Sequence, residues 1–260
     1  MVVRTLERNG VKIVFGYPGA ANCPIIDRLS FSSIKHVLTR NEQGAAHMAS
    51  GYARVTKRAG VCTATSGPGA TNLITGIATA FMDSVPMVVL TGQVSSPLIG
   101  KDAFQEVDIT GATLPFVKHS CLIRNGLEIR RVLNEAFYIA NTGRPGPVLI
   151  DFPMDLLKRE FDYPDEEEEL NIRGYRLLDK ANEAQIKKVA EAMHKSQKPI
   201  ILAGGGVVIS DAVDELRELT EKTGIPVVTT MMGIGAVPTD SEKYMGCLLY
   251  TSPSPRDRQK

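Results

Sequence analysis

Short β-branched runs alternate with helical stretches through the first 151 residues, and this alternation constrains the fold more than any other feature of the chain. Residues 11–15 form an apolar run closed by Gly16-Tyr17-Pro18-Gly19, and residues 23–29 then follow a helical pattern. The order repeats as strand 35–38 and helix 42–55, strand 61–65 and helix 70–82, strand 87–91 and a long loop, then a late strand at 148–151. Strands separated by helices form a parallel sheet covered on both faces. Right-handed crossovers put the strand-to-helix loops on one edge of that sheet, where open α/β sheets bind ligands. An α/β fold with a parallel sheet is therefore expected.

The same texture divides the chain. A first domain is expected over residues 1–155 and a linker over 156–181, including the acidic run Asp165-Glu166-Glu167-Glu168-Glu169, a solvated stretch without assigned function. Alternation resumes with helix 182–195, strand 199–203, the turn Gly204-Gly205-Gly206, helix 211–223 and strand 226–229. This predicts an incomplete Rossmann-like domain over 182–246, with too few strands to close a core unaided. Residues 247–260, with Ser252-Pro253-Ser254-Pro255, read as a disordered, non-native tail resembling translated adapter read-through.

A net charge of +1, with 43% apolar and 23% charged residues, belongs to an ordinary globular protein and points to neither nucleic acid nor a charged membrane surface. Cys23, Cys62, Cys121 and Cys247 form no C-x-x-C pair, so neither zinc nor a disulfide framework is expected, and Cys62 reads as core. His36, His47, His119 and His194 are scattered without ligand spacing. No apolar run reaches the ~20 residues of a membrane span, and the N-terminus lacks a signal-peptide pattern. A cytoplasmic setting is expected.

Three loops carry the chemistry. Glu42, in Arg40-Asn41-Glu42-Gln43-Gly44-Ala45-Ala46, opens a helix whose first turn is small and apolar. There the helix dipole favours a carboxylate while burial disfavours it, and an isolated glutamate would be explained by helix stabilisation alone. Ser66-Gly67-Pro68-Gly69-Ala70-Thr71-Asn72 follows a strand and opens another helix. Its glycines permit a sharp turn and close approach by a ligand. The third glycine of a dinucleotide fingerprint is replaced by Asn72, Pro68 removes a backbone donor, and no P-loop Lys-Ser/Thr follows. The third segment, from Gln93 to Glu106, contains Asp102-Ala103-Phe104-Gln105-Glu106 in a long loop, and loops of that length are often functional.

Together these strings resemble the acetolactate synthase (acetohydroxyacid synthase) family of thiamine diphosphate-dependent enzymes, from about residue 11 to residue 246. The resemblance implies that residues 1–155 are a pyrimidine-binding domain and residues 182–246 part of a flavin-binding type of middle domain. It implies that Glu42 hydrogen-bonds the aminopyrimidine and promotes loss of the thiazolium C2 proton, beside a loop in which Pro68 and Asn72 lie against the cofactor. Gln105 would contact the cofactor region and Phe104 would line the pocket for the second 2-keto acid, with Gly19 and Ala20 facing them across a subunit interface. Arg144, in Gly143-Arg144-Pro145-Gly146-Pro147, would contact FAD, as would Gly204 and Gly205; by itself such an arginine is most simply a turn residue.

The implied reaction is decarboxylation of pyruvate and carboligation to pyruvate or 2-ketobutyrate, on the path to isoleucine, valine and leucine. A homodimer is implied, and the family admits a small regulatory subunit. Two departures stand out. Met154 replaces a lysine common in the family's Asp-x-Pro-Lys-Asp string, which keeps a related carboligase or 2-keto acid decarboxylase open as an alternative. The chain also lacks the Gly-Asp-Gly motif, followed by Asn, that holds the diphosphate through Mg²⁺, so no metal ligand is assigned here and the chain alone is expected to be inactive. A non-catalytic α/β nucleotide-binding module is the alternative from a different class.

Overall fold

The computed structural model of this protein describes residues 1–163, 170–178 and 180–248, and the described residues fall into two compact units, one up to Leu178 and one after it. The first unit runs α1 (Val2–Arg8), β1 (Ile13–Gly16), α2 (Cys23–Leu29), β2 (Lys35–Leu38), α3 (Glu42–Thr56), β3 (Gly60–Ala64), α4 (Pro68–Asn72), α5 (Ile74–Met82) and β4 (Met87–Gln93). It continues through α6 (Ile109–Thr113), β5 (His119–Leu122), α7 (Ile129–Asn141), β6 (Pro147–Pro153) and α8 (Met154–Leu157). Six strands pair in the order β2-β1-β3-β4-β6-β5, and every pair is parallel.

Because side chains alternate along a strand, the central strands feed two cores. Val88, Leu90, Val148 and Ile150 join α1, α2 and α7 on one face, while Met87, Val89 and Leu149 join α3 and α5 on the other. Cys62 lies in the second core, and complete burial pushes its thiol up to about 12. On α3, Ala45, Ala46, Ala49 and Ala53 form the buried face, and these small side chains let the helix approach the sheet closely.

The long loop expected after residue 91 is instead ordered in part: β4 extends to Gln93, and α6, β5 and α7 precede β6. Helix α7 buries Val132, Leu133, Ala136 and Phe137 on one face, but also buries Arg130. The helix expected over 70–82 is two segments separated at Leu73.

Within the stretch expected as a linker over 156–181, aromatic side chains contact the first unit. The Phe161 ring packs directly on Gly126, and the Arg4 and Arg8 guanidinium groups lie 4.6 and 4.8 Å from the Tyr163 ring centroid. Lys118 Nζ donates to Tyr175 Oη at 3.1 Å while also donating to the carbonyls of Ile139 and Thr142 near the end of α7. The acidic run itself lies outside the described residues.

The second unit contains α9 (Glu183–Lys195), β7 (Ile201–Ala203), α10 (Gly205–Ile209), α11 (Val213–Thr223), β8 (Val227–Thr229) and β9 (Tyr244–Cys247). Its three-stranded parallel sheet, β7-β8-β9, encloses a small core of Ala203, Leu216, Val227, Ala236 and Val237. Cys247, expected in the tail, instead ends β9 and is buried, while residues 249–260 lie outside the described region. Among the described residues, no helix is long and apolar enough to cross a membrane.

Candidate active site

Parallel pairing brings the loops after β1, β2, β3 and β4 to one edge of the first sheet. Asn41 adopts an extended backbone and its Oδ1 accepts from Gln43 N at 2.7 Å, so α3 begins at Glu42. Glu42 is half-buried, and its Oε2 accepts from Asn72 Nδ2 at 3.0 Å. A Cβ placed on Gly69 would lie 3.4 Å from Glu42 Oε1 and 2.7 Å from Thr65 Cγ2. Gly69 therefore keeps the space beside the carboxylate clear.

Gly67 has φ 58° and ψ −122°, a conformation suited to glycine. A Cβ there would lie 2.7 Å from the Gln105 carbonyl oxygen and 2.9 Å from its Cα, so the bare backbone of Gly67 seats Gln105. Pro68 occupies the first turn of α4, where its missing N–H costs no helical bond. Phe104 beside Gln105 is 88% exposed.

Gly19 packs on Thr65 of the same chain, where a Cβ added to Gly19 would lie 2.5 Å from Thr65 Cβ, and Ala21 N donates to Thr65 Oγ1 at 3.1 Å. Buried Asn22 fixes this turn: its Oδ1 accepts from Gly19 N at 2.7 Å and its Nδ2 donates to the Tyr17 carbonyl at 3.1 Å. Ala20 is exposed at the turn. The structure thus groups Glu42, Asn72, Pro68, Gln105, Phe104, Gly19 and Ala20 at the strand ends.

Arg144 is elsewhere. It precedes β6, and its Nε donates to Ser84 Oγ at 2.7 Å while Nη2 donates to the Met82 carbonyl at 3.2 Å, closing the end of α5. That is the opposite edge of the sheet from Glu42, roughly 20 Å away along strands of this length. Gly204 and Gly205 belong to the second unit, where Gly204 precedes α10 in an extended conformation and Gly205 lies in the helix's first turn. The expected glycine turn is thus the entry to a short helix.

A buried polar network was not legible as a site in the sequence. Asp151 on β6 is 1% exposed; its Oδ1 accepts from Thr91 Oγ1 at 2.7 Å and its Oδ2 from Gln93 Nε2 at 2.8 Å. Burial pushes its carboxyl up to about 6, opposed by these two hydrogen bonds and assisted by the nearby charge of Asp108. A cleft of about 720 Å³ adjoins the network, lined in part by Gln93, Glu106, Asp108, Arg124 and Asp151. Because the folded carboxyl binds its proton more tightly than an unfolded one at 3.8, this group's contribution to stability is greatest below pH 4 and falls as pH rises to about 6. The fall amounts to roughly 3 kcal/mol by linkage. Urea midpoints at pH 4.5 and 7.5 are expected to differ less in Asp151→Asn than in the unsubstituted chain; an equal difference would contradict this assignment.

Comparison with known proteins places these features in context. Residues 1–112 match "Thiamine pyrophosphate enzyme, N-terminal TPP binding domain", and residues 186–258 match "Thiamine pyrophosphate enzyme, central domain". The chain is 51% identical to the acetolactate synthase of Mycobacterium bovis over 94% of its own length and 40% of that protein's. Against the acetolactate synthase large subunit of Corynebacterium glutamicum the identity is 50%, over 94% of this chain and 39% of the relative. Against that of Buchnera aphidicola from Schizaphis graminum it is 50%, over 92% and 42%. The chain thus spans about 40% of the length of these relatives.

Proposed function

This chain belongs to the thiamine pyrophosphate enzyme family, carrying its N-terminal and central domains, and from that premise we propose that it forms the pyrimidine side of an acetolactate synthase active site. The observation that carries the reading is Glu42: a half-buried carboxylate, oriented by Asn72 and flanked by Gly69, at the sheet edge where Gln105 is seated. These residues fit a flat aminopyrimidine, since Glu42 can exchange a hydrogen bond with a ring nitrogen while Gly67 and Gly69 present backbone without side chains.

When bound, thiamine diphosphate supplies the carbon nucleophile that adds to a 2-keto acid and accepts the electron pair left by departing carbon dioxide. Glu42 holds or releases a proton at the pyrimidine, and Asn72 fixes the direction of its Oε2. Phe104 and Gln105 give the second keto acid an apolar wall and an amide. Pyruvate is the first substrate in this reading and pyruvate or 2-ketobutyrate the second, in a cytoplasmic homodimer that admits a small regulatory subunit. In this reading Mg²⁺ and the diphosphate are not assigned to residues of this chain. Arg144 in the first unit and, separately, the Gly204-Gly205 entry to α10 in the second are the residues of this chain that would contact FAD, and neither is given a part in the reaction.

Purified alone, the 260-residue chain is expected to form no acetolactate from pyruvate with thiamine diphosphate, Mg²⁺ and FAD. Joined to the remaining part of the Corynebacterium glutamicum large subunit, it is expected to form acetolactate. Acetaldehyde as the sole product of the joined protein would instead assign a decarboxylase, and tighter binding of NAD or ATP than of thiamine diphosphate would assign a nucleotide module.

A further inference from the structure

One side chain closes both ends of the loop that carries Phe104 and Gln105. Gln93 is 4% exposed at the end of β4. Its Oε1 accepts from Val94 N at 2.9 Å, where the loop leaves the sheet, and its Nε2 donates to the Val107 carbonyl at 2.8 Å, where the loop returns. The same Nε2 donates to Asp151 Oδ2 at 2.8 Å, anchoring the carboxamide to β6. Farther out, Glu106 accepts from the backbone of Gly100 and of Ala103, and Asp155 Oδ1 accepts from Ser96 N at 2.7 Å and Oγ at 2.9 Å. These outer bonds shape the loop, and among the described residues Gln93 is the side chain that ties its first residue to its last turn.

We propose that Gln93, anchored by Asp151, is a positioning residue: its carboxamide clasps the 94–107 loop shut and thereby holds Gln105 on Gly67. Neither Gln93 nor Asp151 needs to touch cofactor or substrate for this. The functional meaning of the clasp rests on the reading of Gln105 and Phe104 given above, whereas the clasp itself rests on hydrogen bonds within the chain. A buried carboxamide suits the task because it donates to a carbonyl and a carboxylate while accepting from an N–H, which no carboxylate could do at neutral pH.

Gln93→Glu tests this through pH. Facing position 93 are Asp151 from β6, Asp108 at the start of α6, Glu106 in the loop and Arg124 after β5. At pH 5 both carboxyls can be protonated, Asp151 donating to position 93 and the introduced carboxyl donating to the Val107 carbonyl, and the clasp is expected to hold. At pH 8 both are ionised at hydrogen-bond distance and must separate. Hydrogen exchange over residues 94–107 should match that of the unsubstituted chain at pH 5, and tryptic cleavage after Lys101 should be at least about tenfold faster at pH 8, with helical circular dichroism retained. Gln93→Met, which keeps the volume and loses every hydrogen bond, should open the loop at both pH values and decides the matter if Gln93→Glu does not fold at pH 8. Loop protection equal to that of the unsubstituted chain in a folded variant at pH 8 would overturn the clasp. No cofactor enters this experiment, so its failure leaves the acetolactate synthase reading standing, and failure of the joined protein to bind thiamine diphosphate leaves the clasp standing.

Discussion

Glu42→Gln, in the chain joined to the remainder of a relative, is expected to lower acetolactate formation by roughly 10²–10⁴-fold, the range for a lost general acid–base group. The substitution keeps the length of the side chain, and a glutamine oxygen can still accept from Asn72, so folding and the α3 start should be preserved. What is lost is the ability to exchange a proton with the pyrimidine. Thiamine diphosphate affinity should therefore change by only a few-fold while kcat collapses. A kcat within tenfold of the unsubstituted protein would remove Glu42 from the chemistry and return it to the role of a helix-starting acid.

Gly67→Val is expected to produce the largest loss of stability among substitutions in the loops. The backbone at Gly67, φ 58° and ψ −122°, costs a β-branched residue about 1–3 kcal/mol before any contact is counted. A Cβ there would also lie within 3.0 Å of three backbone atoms of Gln105, so the 94–107 loop must move or strain further, adding about 1–3 kcal/mol. A total near 3 kcal/mol lowers the Tm of a unit this size by roughly 6–12 °C. Gly44→Ala is the control: Gly44 lies inside α3 with nothing within 4 Å of an added Cβ, so alanine should leave stability unchanged or raise it by up to about 1 kcal/mol. Equal Tm values for the two variants would contradict the role assigned to Gly67.

Much of this was legible in the chain because it is written locally. An acid after Asn41 at the head of an alanine-rich helix, and a glycine loop between a β-rich run and a helix, each declare their element and its start. Parallel topology then places both at one sheet edge. The elements that escaped sequence reading lack such marks. β5 is a four-residue edge strand, half-buried or exposed throughout, and α7 hides its apolar stripe among charged residues, one of which, Arg130, is itself buried. The Asp151–Gln93 pair depends on register: Thr91 faces Asp151 across two strands that are 60 positions apart in the chain, a relation that no local pattern reveals. The bonds by which Arg144 closes the end of α5 likewise join positions about 60 residues apart in the chain. The anchoring of Phe161, Tyr163 and Tyr175 also carries no local mark, because it depends on partners far away in sequence.

Glu42 is proposed to activate thiamine diphosphate at the sheet edge formed by the loops after β2, β3 and β4. The most direct measurement is exchange of the thiazolium C2 proton for deuterium, followed by proton NMR after acid quench in the joined protein without pyruvate. Exchange is predicted to be far faster than for the free cofactor and to fall by roughly 10²-fold or more in Glu42→Gln, with the cofactor still bound. Exchange in Glu42→Gln equal to that of the unsubstituted protein would contradict the account.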